Sequence, residues 1–193
     1  MKLSEQFTEA LVYATHLHAN QMRKGDGKIP YITHLLGVAS ITLEYGGNET
    51  QAIAALLHDA VEDQGGRAQL ESIREKFGEA VALIVADCSD TFDTPKPPWR
   101  QRKENYIKHL TSASPDSLLV SCADKLYNAR TVLKDYRQMG ESIWERFKGK
   151  REGTLWYYHT ITRAFQKITS HPIVDELQRV VNELEELTAY QGD

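Results

Sequence analysis

Along most of the chain, hydrophobic residues recur every three to four positions with polar residues between them, which is the spacing of one face of an α-helix. In the first such stretch, residues 5–22, apolar side chains recur at Phe7, Leu11 and Ala14. We find no stretch with the strict apolar-polar alternation of a half-buried strand. The pattern therefore predicts an all-α fold class.

Residues that cap or break helices mark where the predicted helices begin and end. A second helix is predicted from about Ile32 to the glycine pair at 46–47. Asn48 then has the side chain of an N-cap for a third helix, which is predicted to continue to the glycine pair at 65–66. Its centre, residues 52–57, is apolar on every side and is therefore expected to be buried on every side.

The rest of the chain continues the helical pattern, with one clear interruption. Further helices are predicted at residues 67–77, 79–90, 99–112 and 116–135, with two or three more within 141–190 that are broken near Lys148-Gly149 and at His171-Pro172. Three prolines between positions 95 and 98 exclude a helix there. With no internal repeat, residues 1–193 are predicted to form a single-domain helical bundle.

Composition narrows the range of functions. At 193 residues and 41% hydrophobic, the chain can bury one sizeable core. A formal net charge of −4 argues against non-specific nucleic-acid binding, because no overall positive field attracts a phosphate backbone. Cys88 and Cys122 show no C-x-x-C spacing, and no apolar run approaches the roughly 20 residues of a membrane span. These features favour a cytoplasmic protein that does not bind membranes.

Ionisable residues interrupt or end the apolar helices at four places. They are His34, the pair His58-Asp59, the pair Glu62-Asp63, and Asp124. Two imidazoles and two carboxylates, spread over three helical segments, suffice to bind one divalent metal ion. His58 and Asp59 directly follow the apolar run 52–57, so burying them without partners would be costly. The alternative is a His-Asp pair that merely caps the end of a helix.

The spacing of the acidic residues favours a site over a cap. Glu62 lies four residues after His58, and Asp63 lies four after Asp59, so each pair shares a helix face if the helix continues. Carboxylates stacked one turn apart repel each other, so a helix selected only for stability tends to avoid them. The arrangement therefore indicates a functional role for this face.

A second polar helix face lies further along the chain. Asp124, Asn128 and Thr131 have the spacing i, i+4, i+7, so a carboxylate, an amide and a hydroxyl lie in a row. Such a row is unusual in a core and is natural in the wall of a site. Lys125 and Arg130 flank this face, and we expect both to be solvated surface residues.

Three motifs follow one another in order within residues 7–135. They are Arg23-Lys24 with Tyr31-Ile32-Thr33-His34, then His58-Asp59-Ala60-Val61-Glu62-Asp63, then Ala123-Asp124-Lys125-Leu126-Tyr127-Asn128-Ala129-Arg130-Thr131. Their order and spacing resemble the hydrolase domain of Rel/Spo-type alarmone enzymes, which are HD-domain metal phosphohydrolases. Residues 136–193 lie beyond the resemblance. They are expected to add helices that close one wall of the pocket or form a homo-oligomer interface.

The resemblance implies a role for each matching position. It implies a metal held by His34, His58, Asp59 and Asp124. It implies that the attacking water is positioned or activated by Glu62 and Asp63. It implies that the guanine nucleotide is held by Arg23, Lys24, Tyr31, Asn128 and Thr131. In this family the metal is usually manganese, and a mixed histidine and carboxylate set also suits iron or zinc.

The implied reaction is metal-dependent hydrolysis of guanosine 3′,5′-bis(diphosphate) at the 3′ position to GDP (or GTP) and pyrophosphate. One alternative is hydrolysis of another nucleotide, such as a dNTP, a nucleoside monophosphate or NADPH. Another is a sensor that binds the alarmone without catalysis, although binding alone does not require Glu62 and Asp63. The segment between Asp90 and Trp99 departs from the family pattern in a region that can border the site.

Overall fold

A computed structural model describes residues 2–25, 28–93 and 95–189, and over these ranges the chain is a bundle of α-helices. In chain order the helices are α1 (Glu5–Leu17), α2 (Ile32–Glu44), α3 (Glu49–Leu57), α4 (Ala60–Gln64), α5 (Gly66–Phe77), α6 (Glu79–Cys88), α7 (Trp99–His109), α8 (Pro115–Met139), α9 (Lys150–Ile168) and α10 (Pro172–Thr188). Short 3₁₀ helices cover Leu110–Ser112 and Gly140–Arg146. The all-α prediction is confirmed for the described residues.

The only extended pairing within those ranges is an isolated antiparallel bridge between Met22 and Pro30. None of the helices described has both the length and the apolar character needed to cross a membrane.

The predicted caps at two helix starts are confirmed. The Asn48 side chain accepts a hydrogen bond from the Gln51 amide at 3.0 Å, and the Gln51 side chain accepts one from the Asn48 amide at 2.8 Å. This reciprocal pair satisfies two amides that α3 itself cannot pair. Ser114 accepts a hydrogen bond from the Ser117 amide, and Pro115 opens α8.

The first helix is shorter than predicted, because α1 ends at Leu17 rather than near residue 22. The chain leaves the helix to form a small hairpin. The Arg23 amide donates to the Ile29 carbonyl, and the Tyr31 amide donates to the Gln21 carbonyl, both at 2.9 Å. The hairpin anchors the loop that carries the first motif.

The prediction of one continuous helix from Asn48 to residue 65 is wrong, because α3 ends at Leu57 and α4 begins at Ala60. His58 Nδ1 lies 2.7 Å from the Ala55 carbonyl oxygen. In a continuing helix that carbonyl would accept from the amide of Asp59, so the imidazole competes with the backbone at this turn.

The last third breaks where the sequence predicted. The second 3₁₀ helix ends at Arg146, before the start of α9 at Lys150, and His171 caps α10 by accepting from the Ile173 amide. The predicted helix end at Tyr190 lies outside the described residues.

The helix α3 lies at the centre of the core and packs against α1, α2, α6 and α8. Its residues 52–57 are at most 1% exposed, which confirms burial on every side. Polar residues on α2, on α8 and immediately after α3 are therefore brought together at one edge of an apolar core.

Candidate active site

Four of the predicted residues meet where α2, the end of α3 and α8 come together. The Nε2 atoms of His34 and His58 lie 3.2 Å apart, and Asp59 Oδ2 lies 3.2 Å from each of them. Suitable ligand atoms of these three residues all lie within 4.8 Å of one another. Asp124 Oδ1 lies 3.3 Å from His34 Nε2 and 3.6 Å from His58 Nε2. The structure thus brings the four predicted metal ligands together, and we name this group, His34, His58, Asp59 and Asp124, the metal cluster.

The donor atoms fit a divalent metal ion. His58 Nδ1 faces the Ala55 carbonyl oxygen, which can only accept, so this nitrogen carries the proton. In the neutral ring the Nε2 lone pair then faces His34 and the Asp59 carboxylate. Electron-rich atoms brought this close repel each other unless a positive charge lies between them. Ligand atoms about 2 Å from a common ion are separated by roughly 3 Å, which matches the observed spacing.

The cluster is also arranged to stabilise positive charge. Burial alone would lower the pKa of His58, but Asp59 and Asp124 raise it well above its usual range. Burial would likewise raise the pKa of Asp59, yet the two adjacent imidazoles hold it well below its usual range. Lys125 and the two histidines likewise hold the pKa of Asp124 well below its usual range despite burial. Two carboxylates that stay ionised side by side create the field that a cation needs.

The second acidic pair faces the same cavity but is contacted by cations of the chain itself. Lys96 Nζ lies 3.0 Å from Glu62 Oε1 and 3.1 Å from Asp63 Oδ1. Arg102 Nη1 lies 3.4 Å from Glu62 Oε1, and Gln21 Nε2 donates to Asp63 Oδ2 at 2.8 Å. Both carboxylates therefore have fixed positions and a compensating charge.

Glu62 has the character of a base. Burial and then the charges of Asp90 and Asp59 raise its pKa. Asp90 itself stays ionised, because Lys103 and Arg102 lower its pKa to about 2 despite burial. A carboxylate whose pKa is raised in this way takes up a proton more readily than one in water.

The Arg23 side chain links the hairpin loop to the metal cluster. Its Nη2 donates to Asn128 Oδ1 at 2.7 Å, and Asn128 Nδ2 donates to Asp124 Oδ1 at 2.5 Å. Its guanidinium lies 5.6 Å from the centre of the Tyr31 ring and 5.8 Å from that of Tyr127. Arg23 thus presents a flat cation beside two aromatic rings.

Three more predicted substrate residues border the same space. The Tyr31 hydroxyl donates to Asp59 Oδ2 at 2.5 Å, and burial together with Asp59 raises its pKa well above its usual range. Thr131 donates to the Tyr127 carbonyl within α8, and Lys24 Nζ lies 5.8 Å from the centre of the Phe147 ring.

These side chains surround one cavity of about 460 Å³, a typical size for a small-molecule site. The predicted residues that line it are Arg23, Lys24, Tyr31, Asp59, Glu62, Asp63, Asp124, Asn128 and Thr131. His34 and His58 are buried behind the cavity wall, where they contact Asp59 and Asp124, and these two aspartates line the cavity.

Sequence reasoning missed several residues that line the cavity. They are Lys96, Arg102, Lys103, Lys125, Arg146, Lys148, Tyr157 and Tyr158. Lys96 belongs to the proline-containing segment between Asp90 and Trp99. The departure of that segment from the family pattern, in a region expected to border the site, was the one signal in the sequence that could have pointed to Lys96. The prediction that Lys125 is a surface residue is wrong, because it is 8% exposed and forms an ion pair with Asp124. Arg130 does lie at the surface, where it pairs with Glu176.

A glycine in α2 allows the aromatic wall to approach. A Cβ on Gly37 would lie 2.0 Å from the Tyr127 ring, so only glycine accommodates that ring here. The ring centre of Tyr127 consequently lies 5.0 Å from that of His34.

Comparison with known proteins gives consistent matches. Residues 10–155 match the HD domain family. The guanosine-3′,5′-bis(diphosphate) 3′-pyrophosphohydrolase MESH1 of Xenopus tropicalis is 42% identical over 126 residues, which cover 64% of this chain and 68% of that protein. The protein of the same name from Mus musculus is 39% identical over 129 residues, covering 66% and 69%.

A solved structure gives a further match over nearly the whole chain. It is described as "A metazoan ortholog of SpoT hydrolyzes ppGpp and plays a role in starvation responses". It superposes with a TM-score of 0.78 at 25% identity, covering 95% of this chain and 98% of that one.

Proposed function

This chain belongs to the HD domain family, and from that membership we propose that it hydrolyses guanosine 3′,5′-bis(diphosphate) at the 3′ position. The products are pyrophosphate and GDP, or GTP when the substrate is the pentaphosphate. The observation that carries this proposal is that a metal-ligand cluster, an acidic pair and a basic loop beside aromatic rings border one cavity. Relatives that carry this activity in their names support it.

The metal ion would be held by His34, His58, Asp59 and Asp124. We propose manganese, since a mixed nitrogen and oxygen set suits manganese or iron better than magnesium, which prefers an all-oxygen shell. The chemistry such an ion supplies is Lewis acidity toward a phosphoryl oxygen and a water that is more easily deprotonated.

Glu62 acts as the general base, and Asp63 helps to position it. Glu62 accepts a proton from the attacking water, whose oxygen forms a bond to the phosphorus attached to the ribose 3′ oxygen. The bond between that phosphorus and the 3′ oxygen breaks, and the 3′ oxygen takes up a proton from water as pyrophosphate departs. Glu62 returns its proton to water, so the base is regenerated. Asp63 binds the same Lys96 ammonium as Glu62 and accepts from Gln21, so it fixes the acidic pair in place.

Cations of the chain stabilise the charge that gathers on the phosphates. Lys96 and Arg102 contact Glu62, the proposed base, and would therefore stabilise the charge of the departing pyrophosphate. At the other side of the cavity, Arg23 offers its guanidinium plane to the base, and Tyr31 and Asn128 hold the nucleotide between the loop and the metal cluster.

We propose that this activity belongs to a reducing, cytoplasmic setting. Cys88 and Cys122 are buried free thiols, and burial raises the pKa of each well above its usual range, so neither favours the reactive thiolate.

The test is pyrophosphate release from guanosine tetraphosphate by metal-stripped protein, with and without added manganese. We expect GDP and pyrophosphate in equal amounts, identified by anion-exchange chromatography, only when the metal is present. Parallel reactions with a dNTP, a nucleoside monophosphate and NADPH test the substrate. Activity restricted to nucleotides without a 3′-phosphate would overturn the proposed substrate, and tight binding without turnover would favour a sensor.

A further inference from the structure

A second, smaller cavity opens beside the proposed active site. Its volume is about 140 Å³, and it is lined by Arg23, Lys24, Gly25, Ile29, Lys134, Asp135, Gln138, Met139 and Arg146. It shares several of these walls with the larger cavity, whereas the aspartates of the metal cluster line only the larger one. We name this space the annex, because it extends the active-site cavity away from the metal cluster.

The distance between the annex and the metal cluster follows from the residues that α8 contributes to each. Asp124, Asn128, Thr131 and Asp135 recur at intervals of four, three and four residues, so they lie along one face of the helix. At 1.5 Å of rise per residue, Lys134 lies about 15 Å beyond Asp124 along the axis. A nucleotide whose 3′ end is at the metal cluster therefore presents a different part of itself to the annex.

The annex carries an excess of positive charge. Among the described residues that line it are four cations and one carboxylate, in a protein whose net charge is −4. That carboxylate, Asp135, holds two of the cations in place, since Arg146 Nη1 and Lys134 Nζ each lie 3.3 Å from its oxygens. A single carboxylate cannot neutralise both, so the annex keeps a net positive potential.

The Arg146 guanidinium lies close to the hairpin loop at Gly25. A Cβ on Gly25 would lie 3.2 Å from Arg146 Nη1, and the φ of +139° at Gly25 is one that favours glycine. The guanidinium thus lies between the loop and Asp135 of α8, and the Arg146 side chain, which lines the annex, is 24% exposed. A planar cation fixed in this way is suited to paired hydrogen bonds with phosphate oxygens.

From these observations we propose that the annex binds the second diphosphate of the substrate, the one on the 5′ oxygen. The inference rests on the proposed function and adds to it a residue-level basis for substrate choice. The annex has room for phosphate groups but is smaller than the spaces that hold whole nucleosides. Arg146 and Lys134 would then determine the preference for a nucleotide phosphorylated at both ends.

Two substrates that differ only at the 5′ position test the proposal. They are guanosine tetraphosphate and guanosine 3′-diphosphate, which has a free 5′ hydroxyl. We expect Arg146→Gln and Lys134→Gln each to lower about tenfold the ratio of kcat/KM for the first substrate to kcat/KM for the second. The matched control is Arg137→Gln, because Arg137 lies on α8 outside the annex and pairs with Glu183. In this control the ratio should stay at the wild-type value.

Each outcome decides something different. Equal losses on both substrates, or no loss on either, would overturn the annex proposal while leaving the hydrolase proposal in place. If the wild-type protein hydrolyses neither substrate, the proposed function fails, and binding of GDP and of guanosine by titration calorimetry tests the annex separately. The annex requires Arg146→Gln to weaken GDP about tenfold relative to guanosine, and a smaller change would overturn it.

Discussion

Two acidic groups border the same cavity, and the structure compensates their charges in different ways. In the metal cluster, Asp59 faces the ring nitrogens of His34 and His58, which can lose a proton and then offer a lone pair to a metal ion. In the acidic pair, Glu62 and Asp63 share the ammonium of Lys96. The first group can bind a metal ion because deprotonated imidazoles become ligands. The second already has a cation of the chain, which agrees with the proton-transfer role that we propose for Glu62.

Asp124 combines both arrangements in one side chain. Its Oδ1 faces the two histidines, whereas its Oδ2 forms an ion pair with Lys125. The lysine lies 4.7 Å from the centre of the Tyr106 ring, so it is fixed in the core. Lys125 therefore limits the negative charge of the metal cluster from the Oδ2 side of Asp124 and leaves Oδ1 facing the two histidines.

The largest effect should follow from damage to the metal cluster. We expect Asp59→Asn to remove the bound metal and lower kcat/KM on the order of 10³-fold, because Lewis-acid stabilisation contributes several kcal/mol. Metal content is measured by mass spectrometry of the purified protein. Asp87→Asn is the control, since Asp87 contacts Ser117 and His109 outside the cavity. Full metal content in the Asp59 variant would show that this residue is not a ligand.

The Glu62→Gln variant should distinguish the role of the acidic pair from that of the metal cluster most clearly. We expect a loss of about 10²- to 10⁴-fold in kcat with metal content largely unchanged, as for removal of a general base. The pKa of Glu62 is raised, so wild-type activity should decline, as pH falls, at a higher pH than for an ordinary glutamate. This acidic limb should be absent from the residual activity of the variant. An active variant with an unaltered pH profile would assign the base to another residue.

A smaller effect is expected from removing the cation of the acidic pair. Lys96→Ala should lower kcat/KM about tenfold, the usual worth of one charged hydrogen bond. It should also allow weak binding of a second manganese ion, because Glu62 and Asp63 would lose the ammonium that they share and would keep only one ion pair, the 3.4 Å contact of Arg102 with Glu62. Titration calorimetry measures the stoichiometry, and exposed Lys108, which does not line the cavity, provides the Lys108→Ala control. Unchanged stoichiometry and kinetics would contradict the contrast drawn between the two groups.

Helix periodicity and caps allowed most of the fold to be predicted, because both depend on neighbouring residues. Asn48 and Ser114 cap their helices as expected, since a capping side chain bonds to amides two or three residues away. The break after Leu57 was not predictable from spacing. The His58 imidazole takes the Ala55 carbonyl through Nδ1 while its Nε2 faces His34 on α2. This ring orientation depends on a residue of another helix, so the spacing along the chain does not indicate it.

The residues of the candidate site also fall into two groups, those that a local motif indicates and those that only the packing reveals. Motifs within the sequence indicated the residues of the metal cluster, the acidic pair and the hairpin loop, because each motif contains its chemistry in a few neighbouring positions. Their roles remain proposals, although their shared cavity is observed. Lys96 and Arg102 escaped prediction because an isolated basic residue looks the same in a sequence whether it faces solvent or Glu62. The burial of Lys125 escaped for the same reason.

The sequence by itself therefore determined the helices, the buried central segment and the residue types available for phosphate chemistry, since these depend on local periodicity and composition. The tertiary structure alone decided which charges meet. Packing α2, α3 and α8 places His34, His58 and Asp124 side by side, and the chain after α6 brings Lys96 onto the acidic pair. Electrostatic interactions act through a few ångströms of space and not along the chain, so a linear pattern leaves them open until the helices are packed.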